Sequence, residues 1–198
     1  DCRISQFEGN GLGGGGNLVL EGLVVGQVIG SRFAGGGIGI YCDQVGKLLV
    51  EQNHLEGNHI GLVSSNSAPQ ITRNEFVGNG MVLQISGVRV PAPVELNAVQ
   101  DAGLLLENRT QTEVGALNNW WGETDESWIA ARMQGAVEWR PFLYSDPRSL
   151  PAIFTLAQNY PNPFNGSTVI RFAVGVDEAL RARGRNLELV VRNSAGQL

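Results

Sequence analysis

Three ionisable residues, Arg32, His54 and Glu75, fall 22 and 21 residues apart. Each sits between an Asn or Ser and a large apolar residue. Such side chains would line one outward column if the chain returned to the same place on every pass. A His beside a carboxylate and a guanidinium could relay protons or form a polar strip that contacts a ligand. The plainer reading is a solvated cross-strand ladder of charges. Glycoside hydrolysis would ask for more, because one carboxyl must protonate the leaving group while a second activates water or attacks. The column that contains these residues reads Gln6, Arg32, His54, Glu75, Ala98, Asn119, with a single carboxylate. A second column reads Arg3, Ile29, Glu51, Thr72, Glu95. Its two acids are two passes apart, roughly 10 Å at the usual strand spacing. No acid cluster emerges, and no catalytic residue is assigned.

Other chemistry is weaker still. Cys2, Cys42, His54 and His59 lack the spacing of a metal site, so no metal is expected. Cys2 falls at an apolar position and reads as a small hydrophobe. Gly13 to Gly16 lack the Lys-Ser/Thr of a phosphate loop and read as a loop leaving the first pass. No cofactor is expected.

The passes themselves are written in a repeat. An apolar residue, two others, Asn or Ser, one other and a large apolar residue recur from Cys2, Val28, Val50, Ile71 and Val94. Gly115-x-x-Asn118-x-Trp120 keeps only the last two positions. The steps are 26, 22, 21, 23 and 21 residues. Further along each copy come Ile38 and Ile40, Ile60 and Leu62, Met81 and Leu83, Leu104 and Leu106, with Leu12 and Gly14 in the first. Alternation puts one side of each short strand inward. A single pass cannot bury that side, but stacked passes bury it together. Asn53, Asn74 and Asn97 are expected to form an internal ladder, taking the αL corner geometry that Asn tolerates. Gly9, Gly35, Gly57 and Gly78 match a turn that needs positive φ. The spacing thus predicts an all-β solenoid of about six coils. A leucine-rich repeat would want helical segments and regularly placed Leu, and neither is visible.

Composition agrees. Of 198 residues, 27 are Gly and only 17% are charged, which suits a turn-rich β chain and not a helical bundle. A net charge of −5 argues against nucleic acid and anionic membrane surfaces as partners. No apolar run approaches the roughly 18 residues of a membrane span. The chain starts at Asp1 without Met and stops at Leu198 inside a strand-like run, as a piece of a longer protein would.

The coils, and above all Asn118-Asn119-Trp120-Trp121-Gly122, resemble bacterial right-handed parallel β-helix proteins of the pectate-lyase-like superfamily. The tail Ile129, Met133, Val137, Pro141, Leu143 resembles the short helix and final strand of that family. The resemblance covers about residues 1–145. It implies a fold, not an activity, since the family holds lyases, hydrolases, epimerases and proteins without known catalysis. Physically, Asp125 can N-cap a helix whose Trp128, Ile129 and Met133 share one side and cover the open sheet edge. Trp120, Trp121, Trp128 and Trp139 read as packing in this cap before they read as sugar platforms.

Composition shifts after Tyr144. Residues 145–151, Ser-Asp-Pro-Arg-Ser-Leu-Pro, read as a linker. Thr168–Phe172 and Leu187–Val191 are strand candidates. The run Gln158-Asn-Tyr-Pro-Asn-Pro-Phe-Asn165 and the later Leu187-Glu-Leu-Val-Val-Arg-Asn-Ser-Ala-Gly-Gln197 resemble the C-terminal sorting domain of bacterial type IX secretion cargo. Gly166 stands where that family usually has Pro. The resemblance implies an incomplete immunoglobulin-like β-sandwich over 152–198, lacking its last strands and only marginally stable by itself.

The expected organisation is therefore a β-helix with its cap over 1–144, a linker over 145–151 and a sandwich remnant over 152–198. The expected function is a secreted or cell-surface monomer, structural or carbohydrate-binding rather than an enzyme in this segment. Its expected partners are the secretion machinery and a polysaccharide, with Arg32, His54 and Glu75 as the contact strip. The alternative is a polysaccharide lyase or glycoside hydrolase whose catalytic coils lie upstream.

Overall fold

The computed structural model describes residues 2–3, 6–8, 16–22, 25–89, 93–149, 155–156, 168–169 and 172–173. Three parallel sheets stack along one solenoid axis. Sheet A holds Cys2–Arg3, Val25–Ile29, Lys47–Glu51, Pro69–Thr72 and Val94–Glu95. Sheet B holds Gln6–Glu8, Arg32–Ala34, His54–Glu56, Glu75–Val77 and Ala98–Gln100. Sheet C holds Gly16–Glu21, Ile38–Asp43, Ile60–Ser65, Met81–Ser86, Leu104–Asn108 and Met133–Gln134. Each coil contributes one strand to each sheet in the order A, B, C.

The predicted register holds through the middle coils. Val28, Val50, Ile71 and Val94 stack in sheet A. Phe33, Leu55, Phe76 and Val99 stack in sheet B, all fully buried. Ile40, Leu62, Leu83 and Leu106 stack in sheet C. Like side chains over like side chains give a continuous apolar core that no single coil could close.

The chain makes about five turns, not six. The last copy diverges because Asn108 turns the chain aside, its amide held by the carbonyls of Thr112 and Ala136. Val114–Gly115 then pairs with Val137–Glu138 in a separate two-stranded ribbon instead of extending sheet A. The first coil also departs from expectation. Gly16 and Leu18, not Leu12 and Gly14, stack on Ile38 and Ile40. The 26-residue step absorbs the extra residues before the strand, and Gly16 opens that strand.

Three columns of left-handed residues make the corners. They are Gly22, Gln44, Asn66, Gly87 after sheet C; Gly30, Gln52, Arg73, Leu96, Asn118 between A and B; and Gly35, Gly57, Gly78, Asp101 between B and C. The Gly positions of the third column are those predicted, while Gly9 and Asn10 lie outside the described residues. The ladder asparagines, however, are not the left-handed residues. The residue before each one is, even where it is Leu96, an uncommon conformation for a branched side chain. The reason lies in the ladder's own hydrogen bonds. The Asn74 amide donates to Val50 O at 2.9 Å and to Asn97 Oδ1 at 3.1 Å, while its Oδ1 accepts from the Asn53 N–H at 3.0 Å. Asn53 and Asn97 repeat the pattern, and Ser31 donates its N–H to Asn53 Oδ1. A side chain turned inward to close three bonds needs the corner residue ahead of it to take the sharp turn.

A second ladder runs between sheets B and C. Asn58 donates to Phe33 O and Asn79 Oδ1, and Asn79 donates to Leu55 O. One coil earlier the position is Gly36, and Asn17 reaches into the gap to donate to Asn58 Oδ1. A Cβ on Gly36 would lie 2.7 Å from the Asn17 oxygen, so the glycine makes room for that substitute.

Asp125 caps the helix Glu126–Ala130, accepting from the N–H groups of Ser127 and Trp128. Ile129 is buried beneath it. Met133 is not on the helix. It begins the last strand of sheet C, paired with Leu106, so backbone as well as side chains covers the edge. No described helix is long and apolar enough to cross a membrane.

Contacts divide the chain into Asp1–Pro147 and Arg148–Leu198. In the second unit Thr155–Leu156 pairs antiparallel with Phe172–Ala173. The Leu187–Val191 strand candidate, the proline-rich run and most of the sandwich expected over 152–198 lie outside the described residues.

Candidate functional site

Sheet B presents two outward columns. The first runs Gln6, Arg32, His54, Glu75, Ala98. The next runs Glu8, Ala34, Glu56, Val77, Gln100. The structure therefore brings Arg32, His54 and Glu75 onto adjacent strands, as their spacing predicts. His54 Nδ1 lies 2.8 Å from Glu75 Oε2.

The centre of the cluster is a residue the sequence reading passed over. Glu56 Oε2 accepts from Arg32 Nη2 at 2.6 Å and lies 3.2 Å from His54 Nε2. The four side chains form one chain of contacts from Arg32 through Glu56 and His54 to Glu75. Both His54 contacts are donations only when the ring carries both protons. Glu56 sits in the second column between Ala34 and Val77, so nothing in its own column suggests a charged cluster. The link to Arg32 is diagonal and depends on side-chain reach. All four groups remain partly open to solvent, so the cluster is a preorganised polar patch and not a buried ion pair.

The Arg32 hydrogen bond, followed by that of His54, holds the Glu56 carboxyl below its ordinary value of 4.5. A lowered carboxyl adds stability above its unfolded pKa, and that stability is lost as pH falls through the folded value. Glu56→Gln should therefore melt below wild type at neutral pH. The gap should shrink as pH falls below 4.5 and close once wild-type Glu56 is protonated. It should also narrow in high salt, because the pair is exposed. Thermal midpoints across pH for the two proteins check this, and a gap that widens on acidification would contradict it.

The acids of sheet A do not come together. Thr72 separates Glu51 from Glu95 in the register, and Arg73 binds Glu51 at 3.0 Å. Cys42 is buried inside sheet C, where burial pushes its thiol up to about 11 and its Sγ donates weakly to Val63 O. It packs as a small apolar group. His59 is exposed at a corner.

The last coil corrects the reading of the Asn-Asn-Trp-Trp run. Asn119, not Asn118, carries the ladder onward, accepting from the Asn97 N–H at 2.9 Å. Ala98 bridges to Trp120, so Trp120 faces outward below Ala98 and Trp121 fills the inward apolar column. Asn118 is the left-handed corner residue. Trp128 and Trp139 each lie under an arginine, Arg132 at 3.8 Å and Arg140 at 4.4 Å from the ring centroid.

Stacked coils, two asparagine ladders and capped sheet edges define a parallel β-solenoid of about five turns. No family model, characterised protein or solved structure matches this chain.

Proposed function

We propose that the solenoid is a structural and carbohydrate-contacting module of a secreted or cell-surface bacterial protein, wound as a right-handed β-helix. The observation that carries the reading is the Arg32–Glu56–His54–Glu75 chain on the outward face of sheet B. Ladders behind the sheet hold these groups at strand spacing, so they are positioned before a ligand arrives. Charged and amide groups on a rigid face suit a hydroxyl-rich polymer, which needs many hydrogen bonds and little apolar burial. Export rests on the sorting-type run from Gln158 to Asn165 and on the strands after it. A monomer acting without metal or cofactor is part of the same reading.

Two measurements test it. On an array of bacterial and plant glycans, the whole chain should bind a set of polysaccharides, and His54→Ala with Glu75→Ala should lose that set. Lyase or hydrolase activity in the whole chain would instead favour the enzyme reading. In a bacterium with type IX secretion, the full-length protein should reach the medium or surface, and its deletion from residue 145 onward should stay inside. Equal export of both would remove the sorting assignment.

A further inference from the structure

Sheet A carries a site independent of the strip on sheet B. Its outward face is hollowed into a shallow groove of about 260 Å³ lined by Val25, Gln27, Lys47, Leu49, Ala68 and Gln70. The register fixes their order. Gln27, Leu49 and Gln70 stand side by side on three successive strands, and Val25 stands beside Lys47. Amide, aliphatic and amide thus follow one another along the solenoid axis, with an ammonium to one side. Val25 is 66% exposed, so an apolar surface lies open beside the charge.

The charge itself is unusual. Lys47 is the one lysine in a chain of 198 residues with a net charge of −5. Arg32, Arg73, Arg109 and Arg140 are each held by a carboxylate. Lys47 has no ion-pair partner among the described residues, and none of the described residues lining the groove is acidic. A cation left open beside an apolar floor favours an anionic group that also carries apolar surface.

We propose that this groove binds an acidic oligosaccharide built from uronate residues. A carboxylate meets the Lys47 ammonium. The C–H face of a pyranose ring lies on Leu49 and Val25, and ring hydroxyls meet the amides of Gln27 and Gln70. Those amides are two strand steps apart, roughly 9.6 Å, close to the length of one disaccharide unit lying along the axis. Strand spacing and sugar spacing therefore stay in step, which a groove running across the strands would not provide.

The single lysine makes the test direct. Reductive methylation with carbon-13 formaldehyde labels Lys47 and the terminal amine of the whole chain and keeps the positive charge. Oligogalacturonate and oligoalginate should shift the Lys47 methyl signal saturably, while cellotetraose should not. Lys47→Gln should weaken uronate binding by roughly tenfold, the order expected for one charge-assisted hydrogen bond, and Lys47→Arg should keep most of it. Gln70→Ala should weaken binding with the Lys47 signal still present. His54→Ala should leave all of this unchanged, which separates this site from the strip on sheet B. The proposal is overturned if sodium acetate at the same carboxylate concentration shifts the signal equally, if no uronate shifts it, or if Lys47→Gln binds as well as wild type with an unchanged circular dichroism spectrum.

Discussion

Replacing Asn74 by Ala should lower the stability of the solenoid by roughly 3–5 kcal/mol, from two buried groups each left unpaired at about 1–3 kcal/mol plus a lost side chain's packing. The two groups are identifiable. Asn74 Oδ1 accepts the Asn53 N–H, and the Asn74 amide donates to Val50 O. Asn74 is 1% exposed, so water does not replace either bond at the surface. Asn97 keeps one donor, the Asn74 backbone N–H, and is less affected. Asn74→Asp should do at least as much harm. It keeps an acceptor but replaces the donating amide with a carboxylate that must stay buried without a cation. Gln134→Ala, at an exposed position, should change stability by about 0.5 kcal/mol or less. Urea denaturation gives the comparison through the shift in midpoint. Since coils unfold as coupled neighbours and not always in one step, exchange of the Asn53 amide is the local check. Its protection should fall further in Asn74→Ala than that of amides in the capping helix. A midpoint shift no larger than that of Gln134→Ala would mean that the ladder contributes little.

The two adjacent tryptophans should separate sharply. Trp121→Ala should cost about 3–5 kcal/mol, the usual range for emptying a buried aromatic site. Trp120→Ala should cost about 1 kcal/mol, in the range of a partly exposed position. Trp121 is 1% exposed and belongs to the continuous core, beneath Val99 in the inward column. Trp120 faces outward and is only partly covered. Trp121→Phe should be far milder than the alanine change. The Trp121 indole N–H is buried and finds no acceptor among the described residues, so Phe keeps most of the volume and removes an unpaired donor. Because Trp121 closes the last coil, its loss should also loosen the pairing of Met133 with Leu106 and of Val114 with Val137. Urea midpoints of the three variants decide the matter. If Trp120→Ala proves the more damaging change, the register of the last coil is wrong by one residue.

That one-residue distinction shows what a repeat does and does not tell. Val50, Ile71 and Val94, or Leu55, Phe76 and Val99, can be aligned from the sequence, because a buried column tolerates only apolar side chains and a period near 22 brings them back. The Asn at the third position after each is legible for the same reason, since only a side chain with both donor and acceptor can link coil to coil. In the last copy the chain reads Asn-Asn-Trp-Trp, and both registers satisfy that pattern. The ladder bond from Asn97 to Asn119 and the left-handed turn at Asn118 choose between them. Similarly, the spacing of Arg32, His54 and Glu75 already placed them in one column. The part played by Glu56 was not legible. It lies in another column, between Ala34 and Val77, and joins the cluster only through the reach and direction of the Arg32 and His54 side chains.

The sequence by itself thus determined the architecture: stacked coils, their inward columns, two asparagine positions and a capped end. Those follow from short-range alternation and a fixed period, which are written directly in residue order. Tertiary structure alone decided where the repeat stops, which of two tryptophans is inside, and how Lys47 comes to stand beside Gln27, Leu49 and Gln70. These depend on the lateral register of strands about 21 to 23 residues apart and on side-chain direction across sheet faces, and neither is a property of any one coil.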